Sequence, residues 1–210
     1  MNLQTKYRPT KLSQVFGNES TKESIKSFFK DKEGFPPAFL FIGPKGCGKT
    51  TMAYVIKERL KISDIDFKYH NAASVRGIDA AREIIDNCQY KPLNSKFKMY
   101  VLDEVHCATG DFQEAMLTTL EKPPKGVVFI LCTTDPEKLK GTLRDRCRNY
   151  EMKPLEDTEI VELINYICEK EERTISKKVT SKICECCEGS PRKAISLLDS
   201  VIRMDDDEQA

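Results

Sequence analysis

Compact apolar runs alternate along the chain with stretches whose apolar residues recur at helical spacing. Ala38–Ile42, Phe97–Leu102 and Val127–Thr133 predict strands buried on both faces. Phe67–Asn71 reads as a further strand, and Asn149–Lys153 as a fifth after a short helix over Thr142–Cys147. Between them lie helical patterns. Ser20 and Glu23 have capping-box spacing and predict a helix over Thr21–Lys30, with Ile25, Phe28 and Phe29 at helical intervals and Gly34, Pro36 and Pro37 ending it. Thr50–Leu60 follows a glycine-rich turn, and Ile78–Cys88 carries Ile78, Ala81, Ile84, Ile85 and Cys88 on one face. Asp111, with Glu114 at the reciprocal position, predicts a cap for a helix through Glu121 that Pro123 and Pro124 terminate. Strands alternating with helices imply a parallel sheet covered by helices.

The texture changes at Pro154. Three helical patterns follow, Asp157–Glu169, Ser176–Cys187 and Pro191–Arg203, with no strand among them. The expected organisation is an α/β domain over 1–154, a helical unit over 155–203, and an acidic tail over 204–210 that solvent would surround. A length of 210 residues fits one domain with a small companion. Apolar residues at 40% and charged residues at 32% exclude wholesale disorder. Lys plus Arg (34) against Asp plus Glu (33) leaves +1, so any nucleic-acid contact would come from a local patch. The longest apolar run, Val127–Cys132, is far below the roughly 20 residues of a membrane span. Met1–Pro9 lacks the apolar stretch of a secretory signal, and nine scattered cysteines are unlike an even disulfide framework. A cytoplasmic location with reduced thiols is the expectation.

The strongest chemical signal is Gly43-Pro44-Lys45-Gly46-Cys47-Gly48-Lys49-Thr50, which matches G-x-x-x-x-G-K-[ST] between a strand and a helix. Its glycines let backbone N–H groups and the positive helix end face phosphates. Lys49 would reach the β and γ phosphates, and the Thr50 hydroxyl would hold Mg²⁺. Asp103 and Glu104 end an apolar strand, where ligands of open parallel sheets sit. Asp103 would order the Mg²⁺ shell, and Glu104 would orient or deprotonate the attacking water.

Seven segments in order then carry a resemblance: Lys6-Tyr7-Arg8-Pro9; the phosphate loop; Leu102-Asp103-Glu104-Val105-His106; Leu120-Glu121-Lys122-Pro123-Pro124; Thr133 to Leu139; Asp145-Arg146-Cys147; and Glu188-Gly189-Ser190-Pro191-Arg192. Together they resemble the gamma/tau family of bacterial DNA polymerase III, AAA+ ATPases that load a sliding clamp onto primer–template DNA. The resemblance implies an AAA+ P-loop NTPase fold, a parallel sheet followed by a small three-helix lid. It implies ATP and Mg²⁺ as ligands, and other clamp-loader subunits in a pentamer, the sliding clamp and DNA as partners.

The resemblance also assigns residues. Tyr7, Arg8 and Pro9, with Val15, Phe16 and Gly17, would lie beside adenine; chemistry alone equally allows a loop packed on the sheet. Gly43 to Thr51, including Pro44, Lys45, Cys47 and Thr51, would cradle the phosphates. Thr134 would sense the γ-phosphate, and Arg192 would grip phosphates from the lid, its helix opening at Pro191 behind Ser190. Arg146 would be an arginine finger serving the neighbouring subunit, with a surface salt-bridge cluster as the alternative. Arg76 is the candidate DNA contact, against a solvated loop arginine. The family's four zinc-binding cysteines have no counterpart, since no cysteine lies between Cys47 and Cys88, and structural zinc is not expected. Cys184 and Cys187 read as core residues. The family's oligomerising collar has no counterpart before residue 210, which predicts a monomer that turns ATP over weakly alone. Two rivals stay open: a nucleotide-binding scaffold that never hydrolyses, and a Holliday-junction type translocase, which would need a further DNA-binding domain.

Overall fold

Alternation of large apolar side chains within each central strand gives the sheet two buried faces. The structure, a computed structural model, describes residues 2–30 and 36–202. Strands β1 (Ala38–Ile42), β2 (Phe67–Asn71), β3 (Lys98–Asp103), β4 (Val127–Thr133) and β5 (Arg148–Glu151) form one sheet in the order β2-β3-β4-β1-β5. Every pairing is parallel. On one face Leu40, Tyr100, Leu102, Phe129 and Leu131 pack under α4 (Ile78–Cys88) and α5 (Gly110–Glu121). On the other, Phe39, Phe41, Met99, Val101 and Ile130 pack under α2 (Glu19–Phe28) and α3 (Lys49–Leu60). The edge strands β2 and β5 are only partly buried, which is why FKYHN and RNYE read as more polar than the centre.

The chain opens with a short helix, α1 (Leu3–Lys6), and the short α6 (Gly141–Arg144) completes the sheet-bearing part. A third core lies beyond it, where α7 (Asp157–Lys170), α8 (Lys177–Cys187) and α9 (Pro191–Val201) bury Ile160, Ile164, Ile167, Ile183, Cys187, Ala194 and Leu198. Leu3 of α1 and Leu155 join that cluster, so the amino-terminal segment packs with the carboxyl-terminal helices. Cys184 and Cys187 are buried there.

Several boundaries differ from the sequence expectation. Ser20 is not the cap of α2. The helix starts at Glu19 because Asn18 takes a left-handed conformation (φ 54°) and its amide pins the chain end of β5, exchanging bonds with Lys153 N (2.8 Å) and Lys153 O (3.1 Å). Asp111 is not the cap of α5 either. Thr109 caps it, its hydroxyl accepting from Phe112 N, while its own N–H donates to Arg76 O at 3.0 Å and fixes where the helix begins. The fifth strand runs over Arg148–Glu151 rather than Asn149–Lys153, in register with Phe39–Ile42. Gly34, Arg203 and the acidic tail lie outside the described residues.

At the end of the sheet away from the carboxyl edge, Asp66 is 1% exposed and ties two loops together. Its carboxylate accepts from Leu93 N (2.7 Å), Asn94 N (2.9 Å) and the Ser63 hydroxyl (3.0 Å). Burial pushes its pKa up, but these hydrogen bonds outweigh burial and hold it at about 2.

Candidate nucleotide site

The site is built at the carboxyl edge of the sheet, where β1, β3 and β4 end. Residues 43–48 turn the chain from β1 into α3, and Gly46 in the middle has φ +84°. A side chain at Gly46 would run into Ser190 Oγ and approach Arg192 Cβ to 3.3 Å. The phosphate loop therefore touches the first turn of α9, and only a glycine permits that approach.

Lys49 opens α3 and is 6% exposed. Its ammonium donates to Gly43 O (2.7 Å) and Pro44 O (2.8 Å), so the buried charge is held by the loop's own carbonyls and keeps a further N–H for a ligand. The next residue reaches across to β3: Thr50 Oγ1 donates to Asp103 Oδ2 at 2.8 Å. Tyr69 on β2 donates to the same oxygen at 2.8 Å, and Glu104 N donates to Oδ1 at 3.0 Å. Burial, and then the bond to Asp103, push the Tyr69 phenol far above its ordinary value, so it stays a donor.

Glu104 has φ 52°, a left-handed conformation uncommon for a non-glycine residue and typical of functional turns. Its Oε2 lies 3.5 Å from His106 Nε2, and His106 Nδ1 lies 3.2 Å from the Thr133 hydroxyl. Thr133 Oγ1 also accepts from Asp135 N at 3.0 Å. The candidate base and the end of β4 are thus joined through one imidazole.

A cavity of about 910 Å³ collects these groups. Of the residues expected here, Tyr7, Arg8, Pro9, Val15, Phe16, Lys45 to Thr51, Asp103, Glu104, Thr134 and Arg192 all line it. The amino-terminal segment is anchored on both sides: Tyr7 Oη donates to Glu171 at the end of α7, and the Arg8 guanidinium lies 4.9 Å from the Tyr54 ring centroid. Gly17, Gly43 and Pro44 do not line the cavity. Gly17 (φ +65°) instead lets the chain pass against Leu155 and Glu159. Arg146 is also elsewhere, its guanidinium donating to Glu121 Oε2 (3.1 and 3.3 Å) and Thr142 O (2.6 Å). Burial raises the thiols of Cys47 and Cys132, which makes them poor nucleophiles.

Hydroxyl and carboxylate oxygens are the donors that Mg²⁺ prefers, and Thr50 with Asp103 supplies one of each. Among the described residues no group of three or more His, Cys, Asp or Glu could hold a metal ion. An ion here would take its other ligands from phosphates and water, as Mg²⁺ does at phosphoryl-transfer sites. The residues fit that ion. Sequence reasoning missed Tyr69, and it gave His106 and Thr133, which stand in two of the motif segments, no role of their own. For Tyr69 the only signal is strand register, since its partner lies 34 residues away.

Sheet order, phosphate loop and strand-end acid pair define a P-loop protein of the AAA+ class. The Holliday junction branch migration motor RuvB of Thermotoga maritima superposes with a TM-score of 0.75 at 21% identity, covering 92% of this chain and 64% of that one; it shares the fold. Residues 58–156 match the family model described as DNA polymerase III, delta subunit. By sequence the chain is similar to bacterial DNA polymerase III gamma/tau subunits. It is 33% identical to subunit tau/gamma of Haemophilus influenzae, over 97% of this chain and 33% of that protein. It is also 33% identical to subunit gamma of Buchnera aphidicola subsp. Baizongia pistaciae, over 96% of this chain and 60% of that protein. The chain spans about a third of the length of the first relative and under two thirds of the second.

Proposed function

We propose that this chain is the ATPase module of a sliding-clamp loader, using ATP binding and hydrolysis to place a clamp on primer–template DNA. The observation that carries the reading is convergence: Lys49, Thr50, Asp103 and Glu104 meet in one cavity, in a chain whose relatives are gamma/tau subunits. The phosphates would lie along Gly46 to Thr51 at the α3 amino terminus, with Lys49 exchanging its loop carbonyls for β- and γ-oxygens. Mg²⁺, when bound, would neutralise phosphate charge, with Thr50 and Asp103 holding it. Glu104 would orient a water and take its proton as the water oxygen bonds to the γ-phosphorus and the bond to the β–γ bridging oxygen breaks, leaving ADP and phosphate. Thr134 would contact the γ-phosphate side, next to Thr133, whose hydroxyl reaches Glu104 through His106.

The adenine end would sit against Tyr7, Arg8, Pro9 and Val15. Arg192, at the first turn of α9, would hold the helical unit over the phosphates, so residues 155–203 act as a lid on the domain 1–154. Arg146 lies outside its own cavity, which supports a role at a neighbouring subunit, where such an arginine contributes roughly 10³ to 10⁵ in rate. The isolated chain would then be a weak ATPase monomer. Arg76, exposed just before α4, is the candidate phosphate contact to DNA. Likeness to RuvB is a likeness of fold, whereas the sequence relatives favour clamp loading over branch migration. Glu104 in the cavity favours hydrolysis over a passive scaffold.

The test is co-purification with a sliding clamp and partner subunits in the presence of a slowly hydrolysed ATP analogue. The reading expects retention that depends on the analogue and is lost in Lys49→Ala. Retention indifferent to nucleotide, or none at all, overturns it.

A further inference from the structure

The carboxylate that would face Mg²⁺ is held by a residue for which the proposed reaction has no assigned part. Asp103 Oδ2 accepts two hydroxyls, Thr50 Oγ1 and Tyr69 Oη, each at 2.8 Å, while Oδ1 accepts Glu104 N at 3.0 Å. Asp103 is 9% exposed, so little solvent is available to orient it. If the Thr50 hydroxyl turns to the ion, as the proposed function requires, Oδ2 loses one of its two donors. Tyr69 is then the side chain that still fixes the plane of the carboxylate. Its position follows from the sheet: β2 lies beside β3 with Tyr69 opposite Val101, two residues before the Asp103 pairing with Asn71. The phenol reaches over that step to the acid.

We infer that Tyr69 is a positioning residue for the Mg²⁺ site, presenting Asp103 in the orientation the ion needs once Thr50 has left it. The inference rests on the proposed Mg–ATP reading and adds a residue from the edge strand. A partner that hydrogen-bonds a ligand carboxylate typically alters metal affinity by about 10–100-fold when removed. Tyr69→Phe keeps the ring, which is 43% exposed together with its backbone, and removes only the donor. Tyr90→Phe is the control: Tyr90 is exposed, lies outside the cavity and is not among the residues that hold Asp103.

The experiment titrates Mg²⁺ at fixed concentration of a fluorescent ATP analogue, using the full chain, and repeats nucleotide binding in EDTA. For Tyr69→Phe the half-saturating Mg²⁺ concentration is expected to rise about tenfold, with EDTA-condition affinity within about twofold of wild type. Tyr90→Phe should titrate as wild type. An unchanged or lowered Mg²⁺ midpoint in Tyr69→Phe overturns the inference. So does an equal loss of affinity with and without Mg²⁺, which would make Tyr69 a wall of the cavity. Failure of the wild-type chain to bind nucleotide more tightly with Mg²⁺ would instead defeat the Mg–ATP reading itself.

Discussion

Substituting Gly46 by Ala tests the contact between the phosphate loop and the last helix. Gly46 has φ +84°, and an added Cβ would collide with Ser190 Oγ. A non-glycine residue in a left-handed conformation costs about 1–2 kcal/mol. The hydroxyl that must move is the N-cap of α9, accepting from Lys193 N at 3.3 Å, and losing a cap costs about 1 kcal/mol. Gly46→Ala should therefore destabilise by about 2–3 kcal/mol, and Ser190→Ala by about 1 kcal/mol. The two are not independent. Removing Ser190 Oγ also removes the collision, and Ser190 Cβ is at 3.5 Å, an ordinary contact. The double variant should cost about 2–3 kcal/mol, leaving a coupling of about 1 kcal/mol in the cycle. Urea unfolding of the four proteins, followed by circular dichroism, measures this. Strict additivity would refute the claim that the loop and the α9 cap press on each other.

Other consequences follow from single groups. Glu104→Gln should bind ATP as wild type but lose about 10²–10⁴ in hydrolysis when partners are present, read by single-turnover phosphate release; loss of binding instead would remove Glu104 from the role of base. Asp66→Asn should destabilise the fold near neutral pH by about 1–2 kcal/mol. Because the folded Asp66 pKa is depressed to about 2, its contribution is full above the unfolded value and lost as pH falls through about 2. Stability of wild type relative to Asp66→Asn should therefore shrink between pH 4 and pH 2, and a constant gap in denaturant midpoint would contradict the assignment. Arg146→Ala should leave ATP affinity of the isolated chain unchanged while lowering turnover in the reconstituted assembly by roughly 10³-fold or more; equal turnover would remove the arginine from the neighbouring site.

Much of the fold is legible in the chain because buried parallel strands leave a dense apolar signal. The expected bounds of β1, β2, β4 and α4 coincide with those observed. The starts of α2 and α5 were less legible, since each is fixed by a distant partner: Asn18 by Lys153, and Thr109 by Arg76 O. The phosphate loop and strand-end acids are short, contiguous motifs, and the cavity gathers them with Thr134 and Arg192. What the motifs do not carry is contact across the fold. Gly17 looks like part of the nucleotide-facing segment, yet its small size serves the approach to Leu155. Tyr69 and the His106–Thr133 link enter only because adjacent strands end side by side, and no spacing along the chain encodes that.

The most direct measurement is calorimetric titration of ATP with Mg²⁺ into wild type and Lys49→Ala. Lys49 donates to two loop carbonyls that it can exchange for phosphate oxygens, and charge-assisted bonds of that kind contribute about 1.5–3 kcal/mol. Saturable uptake of one nucleotide per chain, weakened about tenfold to a hundredfold in the variant, is the predicted result. No uptake by wild type, or equal uptake by both, would contradict the account.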